Sequence, residues 1–284
     1  WRHEHSALAS WLAVDPDDDV RPPEDEVRMK ETRNRDDRAE REVRHGRKLV
    51  AAGPEEIWGW DTAAGRMRAR RRGELISRKA GLRFGMHVLE IGCGTGLFTE
   101  IFAESGVSIL AVDISEDLLQ KALSRNLPAE RVRFLAVPFE DPNICGPFDA
   151  VIGSSVLHHL EIVPALTRIF RLLSPGGVMV FAEPNMLNPQ IMIQKNIPWL
   201  KARLGDSPDE TAFIASRLSR RLVRCGFTEV EILPFDWLHP LTPPGLIKTV
   251  MSWGAFLEKL PFVRHFAGSL LIAARRPIGN HEQA

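Results

Sequence analysis

A chain of 284 residues in which 37 basic side chains balance 37 acidic ones carries no formal net charge, which argues against a general polyanion binder and so against nucleic-acid partners. Hydrophobic residues make up 44% and charged residues 26%, the proportions of a globular fold, and the length allows one large domain with an appendage. Three separated cysteines, Cys93, Cys145 and Cys225, form no CxxC pair, so neither a metal site nor a disulfide framework is expected.

The first ten residues show no apolar core of the signal-peptide kind, and no run reaches the ~18 apolar residues of a membrane span. The compartment expected from this, with three reduced thiols, is cytoplasmic. Residues 1–47 read as a charged N-terminal arm. Val14 to Glu26 is acidic and Pro-containing, and Val27 to Arg47 alternates basic and acidic residues with almost nothing apolar. Such a segment buries too little surface to offset its ordering entropy, so a flexible arm is expected, helical over part of 25–47. From residue 48 the pattern becomes that of a folded domain. Trp58 and Trp60 stand close together, either as a lid over a ligand or as an apolar anchor. Ala63 to Ala80 predicts a basic helix with Met67, Leu75 and Ile76 as its apolar positions and Gly81 as its stop. Within it, Arg66, Arg68, Arg70, Arg71 and Arg72 form a candidate basic patch.

Beyond that helix, strands and helices alternate. Strands are predicted at Met86–Ile91, Ser108–Val112, Val132–Val137, Phe148–Ser154 and Gly177–Ala182, with two more at Thr228–Leu233 and Ser269–Ala274. Helices are predicted at Leu97–Ser105, Glu116–Arg125, Ile162–Leu173 and Thr211–Cys225. This alternation predicts an α/β fold, a doubly wound sheet covered by helices on both faces. Two segments interrupt it, at about 186–209 and 235–266. The second is rich in apolar residues and Pro. It suits a helical hairpin packed on the core, an apolar acceptor pocket, or a lipid-facing patch over 246–266, where Lys248, Lys259, Arg264 and His265 flank the apolar positions.

The informative segment is His87-Val88-Leu89-Glu90-Ile91-Gly92-Cys93-Gly94-Thr95-Gly96-Leu97-Phe98-Thr99, a strand passing through a glycine turn into a helix. The glycines let the backbone take positive φ and come close to a ligand, and the helix start offers unpaired N–H groups. The dinucleotide pattern GxGxxG calls for glycine where this chain has Leu97. Glu90, two residues before the turn, would repel a pyrophosphate and suits an amino group. Both features disfavour a nicotinamide-dependent oxidoreductase.

Glu90-Ile91-Gly92-Cys93-Gly94-Thr95-Gly96 resembles the first motif of the class I S-adenosylmethionine-dependent methyltransferases almost letter for letter. Residues 74–233 follow that family closely and the last strand more loosely. The resemblance implies a seven-stranded sheet, mostly parallel, with its last strand antiparallel, and S-adenosyl-L-methionine as cofactor. It implies Glu90, Gly92, Cys93, Gly94 and Gly96 around the methionyl part. Asp113, twenty-one residues after Gly92, stands where a carboxylate accepts ribose hydroxyls, with Ile114 beside it. Phe139 and Glu140 lie in the loop where the family holds adenine, and Ser154 ends the fourth strand.

Methyl transfer is an in-line displacement that asks the protein for alignment and, at most, removal of a proton. Candidate catalytic residues are His158 and His159, after the fourth strand, and Glu183, ending the fifth; each equally suits packing or capping. No Asn-Pro-Pro-Tyr/Phe sequence of the base-methylating kind occurs. The expected function is methyl transfer to a small-molecule or lipid-like acceptor, O- or N-directed. The alternatives are a protein or tRNA acceptor, met through the arginine cluster, and a non-catalytic S-adenosylmethionine-binding protein.

Overall fold

The computed structural model describes residues 38, 40–44, 46–51, 53–197, 199 and 212–279. The chain divides into two units, Trp1–Arg38 and Ala39–Ala284, and the architecture is that of the second. Most of the predicted arm, with its Val14–Glu26 stretch, and residues 200–211 of the first insertion lie outside the described residues. Those described between 40 and 51 are helical.

Seven strands form one sheet: β1 (His87–Ile91), β2 (Ser108–Asp113), β3 (Val132–Ala136), β4 (Phe148–Ser154), β5 (Leu173–Pro184), β6 (Thr228–Phe235) and β7 (Ser269–Arg275). Their order is β3-β2-β1-β4-β5-β7-β6. β7 runs antiparallel to β5 and β6, and the other neighbouring pairs are parallel. The helices are α1 (Pro54–Ile57), α2 (Ala63–Ala80), α3 (Leu97–Ala103), α4 (Glu116–Leu123), α5 (Ile162–Leu172), α6 (Pro189–Asn196), α7 (Ala215–Arg224) and α8 (Ile247–Leu257). The central strands are apolar on both faces because helices cover both. Leu89, Ile91 and Val151 pack toward α5 and α7. Val88, Ala150 and Ile152 pack toward α2, α3 and α4.

The structure revises the sequence expectation in three places. Met67 on α2 is 40% exposed, and the buried face of that helix is Gly65, Ala69, Arg72, Gly73, Ile76 and Ala80. Small residues are needed there because the helix lies close to its neighbours. A Cβ on Gly65 would strike the Gly59 carbonyl, and one on Gly73 the Ile101 side chain. Second, α7 begins at Ala215 rather than near 211, because Phe213 is buried and bridges Asn185 in extended conformation. Third, β5 starts at Leu173, pairing with Phe148 ahead of a bulge.

The 235–266 segment contains α8 flanked by 3-10 turns at Pro244–Leu246 and Val263–Phe266. Ile247, Val250 and Met251 pack on Ala64 and Leu238. A cavity of about 10 Å³ remains between α2 and α8, beside Met67, Trp237 and Met251, room for about one water. Among the described residues no helix is long and apolar enough to cross a membrane.

Candidate active site

Strand order reverses between β1 and β4, whose following chains leave in opposite directions and open a crevice at their carboxyl ends. The glycine turn fills one side of it. Gly92, Gly94 and Gly96 have φ of 67°, 53° and 74°, the left-handed region that penalises any Cβ. The N–H groups of Gly92 and Cys93 donate to the Val112 carbonyl, pinning the turn to β2. A Cβ on Gly92 would collide with the Val156 side chain. Asp113 holds the turn from the other side. Its Oδ2 accepts from Gly94 N–H at 2.8 Å and its Oδ1 from Ser115 N–H at 2.8 Å. Withdrawal from water raises this carboxyl above its usual range, opposed by the two N–H donors. Each oxygen keeps a second lone pair for a ligand hydroxyl.

Two buried ionisable groups at this end of the sheet lack full partners. Glu90 is 1% exposed, and its Oε2 has no hydrogen-bond partner. Burial pushes the carboxyl up to about 8, and the nearby Thr99 hydroxyl offsets part of that. Arg72 is 3% exposed. Its Nη1 donates to Ser155 Oγ at 3.0 Å and Ser154 Oγ at 3.3 Å, and its Nη2 to Ser269 Oγ. Its Nε has no partner. The guanidinium lies over the rings of Trp60 and Phe235, each 5.6 Å from its centroid. Burial lowers even this group, to about 10. Ser155 takes φ of 56° to present its hydroxyl, a strained backbone for a residue other than glycine. Glu90 pairs across to Ile152 of β4, and Ser154 lies two residues further along that strand. A buried charge is costly unless paired, so an opposed pair of incompletely satisfied groups fits a zwitterionic amino-acid head.

His158 and Glu183 form a buried dyad. His158 Nδ1 lies 2.6 Å from Glu183 Oε2, with the two residues 4% and 0% exposed. Glu183 Oε1 accepts from the N–H groups of Val156 and Leu157, each at 2.9 Å. Burial by itself would raise this carboxyl, but His158 and the two N–H donors hold it below its usual value. It remains ionised and, through its contact with Nδ1, orients the His158 ring. The His159 ring packs on His158 at 4.3 Å, and its Nδ1 lies 3.1 Å from Glu42.

Described residues ahead of α2 lie against the glycine turn and its neighbours. Gly46 packs against Ser115, and Glu55 accepts from the Thr95 hydroxyl and pairs with Arg125. The Trp58 ring lies against the backbone of Gly94, and Trp60 meets Phe98 edge-on at 5.7 Å. Ser154 is joined to the site through Arg72, and Ile114 is half-buried beside Asp113. Cys93 is buried, and burial pushes its thiol well above the usual range, leaving it inert. Phe139 is turned into the core under the Arg168 guanidinium, and Glu140 beside it is half-buried.

The arginine cluster of α2 is not an open basic patch. Arg66 bonds the Asp61 carbonyl, Arg68 pairs with Asp236, Arg70 with Glu74 and Glu104, and Arg71 with Glu258. Arg72, buried among serines, is the candidate site residue that composition alone hides. Its signal was its place on the small-residue face of α2. Among the described residues no group of three or more His, Cys, Asp or Glu is placed to hold a metal.

Residues 89–179 match the family model described as a methyltransferase domain. An uncharacterized methyltransferase of Mycobacterium tuberculosis is 36% identical over 107 residues, 36% of this chain and 53% of that protein. The ubiquinone biosynthesis O-methyltransferase of Psychrobacter arcticus is 30% identical over 171 residues, covering 56% of this chain and 65% of that one. The chain thus spans about half to two-thirds of the length of these relatives. Among solved structures, the N-methyltransferase NodS of Bradyrhizobium japonicum, in complex with S-adenosylhomocysteine, superposes with a TM-score of 0.55 at 18% identity. That match covers 83% of this chain and 98% of the other, and at such identity it speaks for the fold.

Proposed function

We propose that the protein, whose residues 89–179 match a methyltransferase-domain model, is a class I S-adenosylmethionine-dependent methyltransferase that transfers a methyl group to a hydroxyl or amine of a small-molecule or lipid-like acceptor. The observation that carries this reading is the pair of incompletely satisfied buried ionisable groups, Glu90 and Arg72. They match the amine and carboxylate of a methionyl group. Around them, the backbone of Gly92, Cys93, Gly94 and Gly96 would border the methionyl part and Asp113 the ribose hydroxyls. Ile114, Phe139 and Glu140 would border the adenine, Phe139 through its backbone because its ring is turned away. When bound, the cofactor supplies a sulfonium methyl already activated toward an oxygen or nitrogen nucleophile.

The chain's own contribution to the chemistry is the His158–Glu183 dyad. The His158 ring, oriented by Glu183, would take the proton of the acceptor group, and Glu183 would stabilise the imidazolium that results. The relative named for O-methylation in ubiquinone biosynthesis supports an oxygen nucleophile on an apolar acceptor. A tRNA or protein acceptor loses its main support, since four of the five arginines invoked for it are engaged within the chain and the fifth is buried.

Calorimetric titration tests the reading. Saturable binding of S-adenosylmethionine and S-adenosylhomocysteine is expected, with Asp113→Ala weakening both at least about tenfold through the lost ribose hydrogen bonds. Failure to bind either compound would end the proposal, and acceptor-dependent release of S-adenosylhomocysteine separates an enzyme from a passive binder. Arg72→Met offers a sharper test of the site. A charge-assisted bond of about 1.5–3 kcal/mol corresponds to roughly 10–100-fold in affinity for S-adenosylhomocysteine. Affinity for methylthioadenosine, which lacks the amino-acid head, should stay unchanged. Equal losses for both compounds would place Arg72 in a structural role only.

A further inference from the structure

We infer that the exposed apolar surface built by α6, α8 and the loop after α8 seats on an anionic lipid bilayer. Large exposed apolar side chains of the described residues gather on α8 and the segments on either side of it: Phe262 is 85% exposed, Leu241 77%, Trp253 62%, Leu246 54% and Phe256 51%, while the comparably exposed Phe84 and Ile278 lie elsewhere in the chain. Ile193 on α6 adds another at 50%. The two segments form one surface. Asn188 at the start of α6 donates to the Phe266 carbonyl, and Gln190 lies 3.0 Å from His239. Trp253 and Phe256 touch edge to face. Exposed apolar side chains scattered singly need no explanation, but a cluster of this size does.

Charge selects the occupant. From Trp237 to Ala267 the charged residues are Lys248, Lys259, Arg264 and Glu258. Glu258 is turned inward, bonded to Arg71 and to the Asp236 N–H. What faces outward is aromatic and aliphatic surface edged by Lys248 and Lys259, with Arg264 half-buried, on a chain whose net charge is zero. Aromatic rings at the headgroup level with lysine and arginine at the phosphates is the chemistry of an interfacial segment on an anionic leaflet. A second copy of the chain fits less well. A two-fold contact through this face would set the cations of one copy against those of the other. The surface adjoins Asn185, two residues beyond Glu183, so a molecule dissolved in the bilayer would lie at the mouth of the crevice.

Sedimentation of the full chain with sucrose-loaded vesicles tests this. With phosphatidylcholine vesicles containing about one-third phosphatidylglycerol, at low salt, the protein should pellet, and it should largely stay in solution with phosphatidylcholine alone. Trp253→Ser combined with Phe262→Ser should lower partitioning roughly tenfold. Lys248→Glu combined with Lys259→Glu should remove the preference for anionic vesicles. All four positions are exposed, and unchanged circular dichroism and thermal melting of the variants would show that the fold is retained. The inference fails if the wild-type chain stays in solution with anionic vesicles, or if the serine variant pellets like the wild type. It also fails if light scattering reveals a dimer that the serine variant dissolves. No cofactor or acceptor enters the vesicle assay, so its outcome is independent of the proposed methyl transfer.

Discussion

Glutamine in place of Glu90 is expected to make the protein more stable and far less able to hold its cofactor. Burial raises this carboxyl from 4.5 to about 8. Between those values the unfolded chain releases the proton while the folded protein keeps it. Stability is therefore complete below the lower value and is lost as pH rises through the window. At pH 7.5 the loss is on the order of 4 kcal/mol, which glutamine, having nothing to ionise, avoids. Its melting temperature should rise by roughly 10 °C for a domain of this size. Affinity for S-adenosylhomocysteine should fall about 100-fold or more, because the ligand's ammonium then lacks a countercharge. Below about pH 8 the wild-type protein should release a proton on binding, seen as a dependence of calorimetric heat on the buffer's ionisation enthalpy. A variant that melts lower, or that binds as tightly as the wild type, would refute the placement of Glu90 against the cofactor's amine.

His158→Gln should reduce kcat by roughly 10²–10⁴-fold, the range of a lost general base, while affinity for S-adenosylhomocysteine changes by less than about threefold. Glu183→Gln should give a smaller loss in kcat, as expected of a residue that positions the ring. It also weakens acceptance of the Val156 and Leu157 N–H groups, so thermal melting belongs beside the kinetics. Full activity in His158→Gln would show that the histidine only packs.

The sequence announces what is local. The glycine turn, Glu90 and Asp113 lie within twenty-four residues of one another, and their spacing carries their geometry. The span of β4 was readable residue for residue because it is apolar between clear punctuation, and that of α2 because Thr62 and Gly81 cap it. Arg72 was concealed for the opposite reason. It sits in a run of arginines that resembles a solvated face, and only helical spacing from Gly65, Ala69, Ile76 and Ala80 turns it inward. The contact of Glu183 with His158 joins residues twenty-five apart through neighbouring strands, and nothing in either short segment specifies the pairing. The early start of β5 and the late start of α7 also depend on partners distant in the chain, Phe148 and Asn185.

Glu90 belongs to the sheet and Arg72 to the helix laid across it, so a bound methionyl group would act as a cross-tie between layers that are otherwise joined mainly by apolar contact. Stability then follows ligand supply, gaining about 2.7 kcal/mol when the cofactor stands at 100 times its dissociation constant. Under the proposed function, a cell short of methyl donor would hold this protein in its weaker, more protease-sensitive form, coupling its abundance to the supply of its ligand.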